Sequence, residues 1–137
     1  RYGGLARFQD KVADEIYTHG YARDYFGRIR WFPGIYSAAQ FQREAALREA
    51  INFHIQGPAA SCIKIAMRNL WDDIHECGLD AHLLLQVHDE VILEVREEQL
   101  DSVIELTQTM LNNVMPISFP IEPEVGKTWA QMKPYKN

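Results

Sequence analysis

A chain of 137 residues with 47% apolar side chains and six prolines can bury the core of one folded domain, a balance that argues against a disordered chain. No apolar run approaches the roughly 20 residues a membrane helix needs, and Cys62 and Cys77 are spaced unlike a disulfide framework or a Cys-x-x-Cys zinc site. The formal charge of −5 by itself argues against nucleic-acid binding, yet residues 1–70 carry ten basic against six acidic side chains (net +4) and residues 71–137 four against thirteen (net −9). That asymmetry suits a basic face for phosphates and an acidic region that gathers metal ions; the plainer reading is chance clustering of solvated charge. The start, Arg1-Tyr2-Gly3-Gly4, has no apolar signal segment and no initiator Met. We therefore expect a cytoplasmic chain with reduced thiols that begins inside a longer gene product, and no membrane partner.

In chain order, Leu5, Phe8, Val12 and Ile16 recur at spacings of three and four, which predicts a helix over 5–19 stopped by Gly20. Residues 21–31 predict a short hairpin bent at Gly27 and ended by Pro33-Gly34. Ser37 is placed to cap a helix from about Ala39 to Phe53. Gly57-Pro58 punctuates the pattern, and a new helix is expected over 58–77 with Ile63, Ala66, Met67, Leu70 and Ile74 on one stripe, ended by Gly78. Two strand-forming runs over 81–95 flank His88-Asp89-Glu90 and predict a hairpin with those three residues as its turn. A helix follows over Glu97–Leu111, then an extended segment over Pro116–Val125 and a tail from Gly126. The order fits a single α+β domain: an antiparallel sheet with the central hairpin, covered by helices.

Three groups of residues can carry chemistry. Asp89 and Glu90 at a rigid hairpin tip can hold a divalent metal ion, which lowers the pKa of a bound hydroxyl and stabilises charge on a phosphate; one hairpin needs a further carboxylate from elsewhere to hold two metals. The plain reading is a polar turn that keeps the hairpin soluble. His88 stands beside the acids and is the one histidine given a functional role. Arg48, Asn52 and Gln56 lie four apart and share a helix face, one cation and two amides able to reach minor-groove acceptors that every correct base pair presents in similar places; the alternative is a solvated face. Arg28 and Arg30, with Arg23, sit on the short hairpin where guanidinium groups can clamp backbone phosphates. The aromatics around them, Tyr25, Phe26, Trp31 and Phe32, and Trp129 near the end, are expected to pack. Gly126-Lys127-Thr128 lacks the upstream glycine and following helix of a phosphate-binding loop.

Four segments in order resemble family A DNA polymerases, the bacterial DNA polymerase I type. Phe26-Gly27-Arg28-Ile29-Arg30-Trp31-Phe32-Pro33 is similar to their "FGRRRY-x-P" element, and Arg43-Glu44-Ala45-Ala46 through Asn52 to Ile55-Gln56-Gly57-Pro58-Ala59-Ala60 to their "RExAxRxAxNxPIQGxAAD" helices. Gln86-Val87-His88-Asp89-Glu90 resembles their motif C, and Val125-Gly126-x-x-Trp129 their "VGxxW". The resemblance implies a partial polymerase palm with adjoining helices, and a parent protein that carries out template-directed DNA synthesis with two Mg2+ ions. Its partners would be a DNA primer-template, deoxynucleoside triphosphates and the remainder of the polymerase chain. By matching motif, Asp89 is a metal-binding aspartate, Glu90 its supporting acid and His88 a contact near the primer's terminal phosphate. On the same resemblance Arg48, Asn52 and Gln56 would contact template and primer near the new pair, largely on the minor-groove side, and Arg28 and Arg30 would belong to the basic hairpin. The chain departs from the pattern at Ser61 (an acid in the family), His54 (a proline) and Gly34 (an acid). The family's first metal aspartate and its fingers helix belong to upstream motifs that these residues do not include, so the isolated chain is expected to be inactive. The alternative is a non-catalytic or split-subunit nucleic-acid-binding module of the same fold.

Overall fold

The computed structural model describes residues 2–135, and its chain clusters into two units, Arg1–Ser61 and Cys62–Asn137. In the first unit, helix α1 (Gly3–His19) follows the apolar spacing: Val12 and Ile16 are fully buried, Phe8 packs beside them, and Leu5 at the N-terminal end stays exposed. Gly20 ends the helix at φ +74°, a left-handed position that L side chains resist, and its N–H reaches the Ile16 carbonyl at 2.9 Å. Strands β1 (Tyr21–Arg23) and β2 (Ile29–Trp31) pair antiparallel, Ala22 opposite Arg30. A short 3-10 turn over Pro33–Tyr36 buries Ile35 and leads into helix α2 (Gln40–Glu76). Ser37 acts three residues ahead of that helix, its Oγ accepting the Ala39 N–H at 3.1 Å. Ala46 and Ala50 of α2 close this core over Val12, Ile16, Ala22, Phe32 and Ile35.

The expected break at Gly57-Pro58 is not there: α2 runs through both residues without interruption, and Pro58 is buried inside it. Proline removes one helical N–H and weakens the turn. Here Arg28, from the β1–β2 hairpin, donates to the Gly57 carbonyl and to Ser61 Oγ on either side of that proline.

In the second unit, Cys62, Ala66, Leu70 and Ile74 form the buried ridge of α2, one row of i, i+4 spacing, flanked by the half-buried Ile63 and Met67. At its end the Leu79 N–H bonds the Ile74 carbonyl and the Gly78 N–H the His75 carbonyl, with Gly78 at φ +64°, a Schellman stop. Strands β3 (Ala81–Val87) and β4 (Glu90–Val95) form the central hairpin, with an irregularity at Leu84 that leaves Leu84 and Leu85 half exposed. Residues Glu97–Gln99 make a 3-10 turn and α3 (Leu100–Asn112) then packs Val103, Leu106 and Met110 on Leu70, Ile74 and Ala81. The tail from Gly126 is not structureless: β6 (Lys133–Pro134) folds back on β5 (Glu124–Val125). A Cβ at Gly126 would lie 2.6 Å from the Gln131 carbonyl oxygen, so the return permits only glycine. Among the described residues the strands thus form three separate two-stranded sheets, each antiparallel, in a mixed α+β chain. Among the described residues no helix is long and apolar enough to cross a membrane.

Candidate functional site

The central hairpin presents the acidic tip. Val87 pairs with Glu90, so the turn has two residues, His88 and Asp89, rather than three, and Glu90 opens β4. His88 takes φ +54°, the one left-handed position held by a non-glycine residue among those described, and the Gln86 amide closes the turn by donating to the His88 carbonyl at 2.9 Å. A side chain in that region is held against a steric cost. His88, Asp89 and Glu90 are all exposed. The Asp89 and Glu90 carboxylates are hard oxygen donors of the kind Mg2+ takes. Among the described residues no group of three or more His, Cys, Asp or Glu side chains gathers into a complete metal cage. The tip offers donors and would need further ones from outside it.

In the first unit, Arg48, Asn52 and Gln56 stand exposed on one face of α2, spaced by one helical turn each. Among the described residues none of the three side chains is tied to a neighbour, so a cation and two amides are available to a ligand. Arg30 is half exposed, donates to Glu49 Oε2 at 2.9 Å and lies 5.2 Å from the Phe32 ring.

Arg28 is engaged differently. Its Nε meets Asp24 Oδ2 at 3.2 Å, and its Nη2 donates to the Gly57 carbonyl at 2.6 Å and to Ser61 Oγ. Asp24 is the buried charged residue among those described, a place that its local sequence does not reveal. Its Oδ1 accepts the backbone N–H groups of Phe26 at 3.0 Å and Arg28 at 2.9 Å, an Asx-turn that shapes the hairpin bend. The signal available was an acid three residues before a turn glycine, a pattern shared by many solvated turns.

His54, to which no role was given, bonds Glu15 Oε2 at 2.9 Å, while Glu15 Oε1 accepts the Arg23 N–H at 2.8 Å. His75 at the end of α2 bonds the Trp71 carbonyl at 2.7 Å. Packing was expected of the aromatics near the basic hairpin. Phe32 is buried as expected, but Tyr25, Trp31 and Trp129 are mostly exposed, because a two-stranded ribbon and a short tail have only one covered face.

The comparisons with known proteins agree on one relationship. The model of the family described as DNA polymerase family A matches residues 1–131. The thermostable DNA polymerase I of Thermus filiformis is 40% identical over 126 residues, 90% of this chain and 15% of that protein. The DNA polymerase I of Deinococcus radiodurans is 39% identical over 91% of this chain and 13% of its own length, and that of Pseudomonas aeruginosa 36% identical over 96% and 15%. The chain therefore spans about one seventh of the curated relatives it matches. Among solved structures, the POL domain of Pol1 from M. smegmatis, in complex with DNA primer-template and dNTP, superposes with a TM-score of 0.81 at 38% identity, over 85% of this chain and 21% of that one.

Proposed function

The chain belongs to DNA polymerase family A, and from that membership we propose that its parent protein is a DNA-directed DNA polymerase to which these residues supply part of the palm, with the primer-template contacts. The observation that carries the reading is the exposed Asp89-Glu90 pair at the tip of the central hairpin within a family match spanning residues 1–131. Asp89 would hold Mg2+, with Glu90 as a supporting acid and His88 turned toward the primer's terminal phosphate. When bound, the metal ions of such a site neutralise charge on the transferring phosphate and lower the pKa of the primer's hydroxyl, the two-metal form of nucleotidyl transfer. The chain's own residues bind and orient. Arg48, Asn52 and Gln56 would rest along the minor groove of the newly formed pair, where acceptors are common to all correct pairs, and so would sense pair shape rather than sequence. Arg30, half exposed on the basic hairpin, would approach the DNA backbone. Primer-template DNA, deoxynucleoside triphosphates and the remainder of the polymerase chain are the partners this requires, in the cytoplasm where the DNA lies.

Primer extension by the full-length parent tests the reading. Asp89→Asn there should reduce extension by on the order of a hundredfold or more, as loss of a carboxylate that holds a charge-stabilising ion does, while primer-template affinity stays within about twofold. Extension intact in that variant overturns the metal assignment. The isolated chain should extend nothing with Mg2+, since a single hairpin tip lacks the second carboxylate source. A split-subunit arrangement would show itself as activity regained on mixing this chain with the rest of the parent.

A further inference from the structure

The guanidinium of Arg28 and the carboxylate of Asp24 meet where α2 is weakest. Gly57 and Pro58 are adjacent in that helix, and they are the two poorest helix formers. Pro58 has no N–H for the His54 carbonyl four residues back. Across this turn Arg28 reaches from the β1–β2 hairpin to two points of α2 one turn apart, the Gly57 carbonyl and Ser61 Oγ. It is aimed there by Asp24, whose side chain is fully buried and whose two oxygens together accept Phe26 N–H, Arg28 N–H and Arg28 Nε–H. Asp24 Oδ2 also lies against Gly57: a Cβ there would stand 3.1 Å from it. Gln56 is the residue next to the braced carbonyl, and Asn52 lies one turn before it.

We propose that Asp24 and Arg28 are positioning residues, a latch that braces the Gly57-Pro58 turn and so fixes the Asn52–Gln56 face toward DNA, and that Arg28 gives its charge to Asp24 rather than to a backbone phosphate. This rests on the polymerase reading for its consequence and on the local geometry for its substance. It separates Arg28 from Arg30 and Arg48, which the basic-hairpin and helix-face readings group with it as DNA contacts.

The latch and a phosphate clamp predict opposite signs. A phosphate-clamping arginine contributes about 0.9 to the slope of log affinity against log salt, and Asp24 would oppose it. Freeing Arg28 by Asp24→Asn would then tighten DNA binding and steepen the slope. For a latch, Asp24→Asn and Arg28→Gln both weaken primer-template binding by the full-length parent, each on the order of tenfold through misplacement of the Asn52–Gln56 face, and neither changes the slope. Because Ser61 Oγ already meets Arg28 Nη2, Ser61→Asp in the Asp24→Asn background returns a carboxylate to the guanidinium and should recover most of the affinity.

The measurement is fluorescence anisotropy of a labelled primer-template across a salt series. Tighter binding by Asp24→Asn, a flatter slope for Arg28→Gln, or no recovery in the double variant each overturns the latch. If Asp24→Asn unfolds, the double variant decides: refolding with regained affinity supports the proposal, and an equally unfolded double variant refutes it. Amide exchange on the present chain reads the brace without DNA. Arg28→Gln should speed exchange several-fold at residues 59–62, and unchanged exchange there refutes the brace. A parent that extends no primer, beside faster exchange in Arg28→Gln, would sink the polymerase reading and leave the latch standing.

Discussion

Replacing Gly57 by alanine sets two effects of known size against each other. Alanine in place of glycine within a helix gains about 0.8–1.0 kcal/mol from backbone propensity. The new methyl, however, would lie 3.1 Å from Asp24 Oδ2 and 3.4 Å from the Phe53 ring. The carboxylate cannot drift away freely, since two backbone N–H groups and the Arg28 Nε–H hold it. Crowding a packed site costs about 1–3 kcal/mol, so Gly57→Ala should leave the chain unchanged or destabilise it by up to about 2 kcal/mol. In an Asp24→Ala background the oxygen is gone and the propensity gain remains, so the same substitution should stabilise by about 1 kcal/mol. Urea unfolding of the four chains of this cycle, followed by circular dichroism, measures the coupling between the two sites. Stabilisation by about 1 kcal/mol in the native background, or no coupling, would show that the carboxylate yields without cost and that Asp24 is not fixed against α2.

Other consequences are testable on the same chain. His88 occupies a left-handed position, so His88→Gly should raise stability by up to about 1 kcal/mol in urea unfolding while reducing primer extension in the parent; lower stability would mean the side chain itself holds the turn. Burial pushes the Cys62 thiol above its ordinary pKa, whereas Cys77 is exposed. A thiol reagent at neutral pH should therefore label Cys77 at once and Cys62 only on unfolding, and equal rates for both would contradict the buried ridge. The Tyr135 phenol is raised by its hydrogen bond to Asp101, then by partial desolvation and by the Asp101 charge. A folded pKa above the unfolded one means that the contribution is full below about pH 10 and is lost as pH rises through the folded value. Tyr135→Phe should remove its phenolate step from the absorbance profile, and Asp101→Asn should move that step to lower pH.

How much of this was legible in the sequence depends on the range of the forces that set each part. Helix α1 and the second half of α2 follow from apolar spacing, and Gly20 and Gly78 end them where the sequence places the stops, because these are properties of consecutive residues. The central hairpin follows from its strand formers, and the tip acids are as exposed as a turn demands. The turn came out one residue shorter because Glu90 pairs with Val87, a choice made across the ribbon. The continuity of α2 was illegible for a stronger reason. Local propensity at Gly57-Pro58 argues for a break, and what overrides it is a side chain 29 and 33 positions away from its two partners. Asp24 was missed for the same cause: an acid near a turn glycine reads as solvated until α2 covers it. The sequence motifs thus name the exposed residues proposed to face a ligand, while the residues that hold them in place are set by contacts between segments distant in the chain. Arg28 belongs by motif to the first group and by geometry to the second, and the salt slope of its variants is the quantity on which the two descriptions disagree.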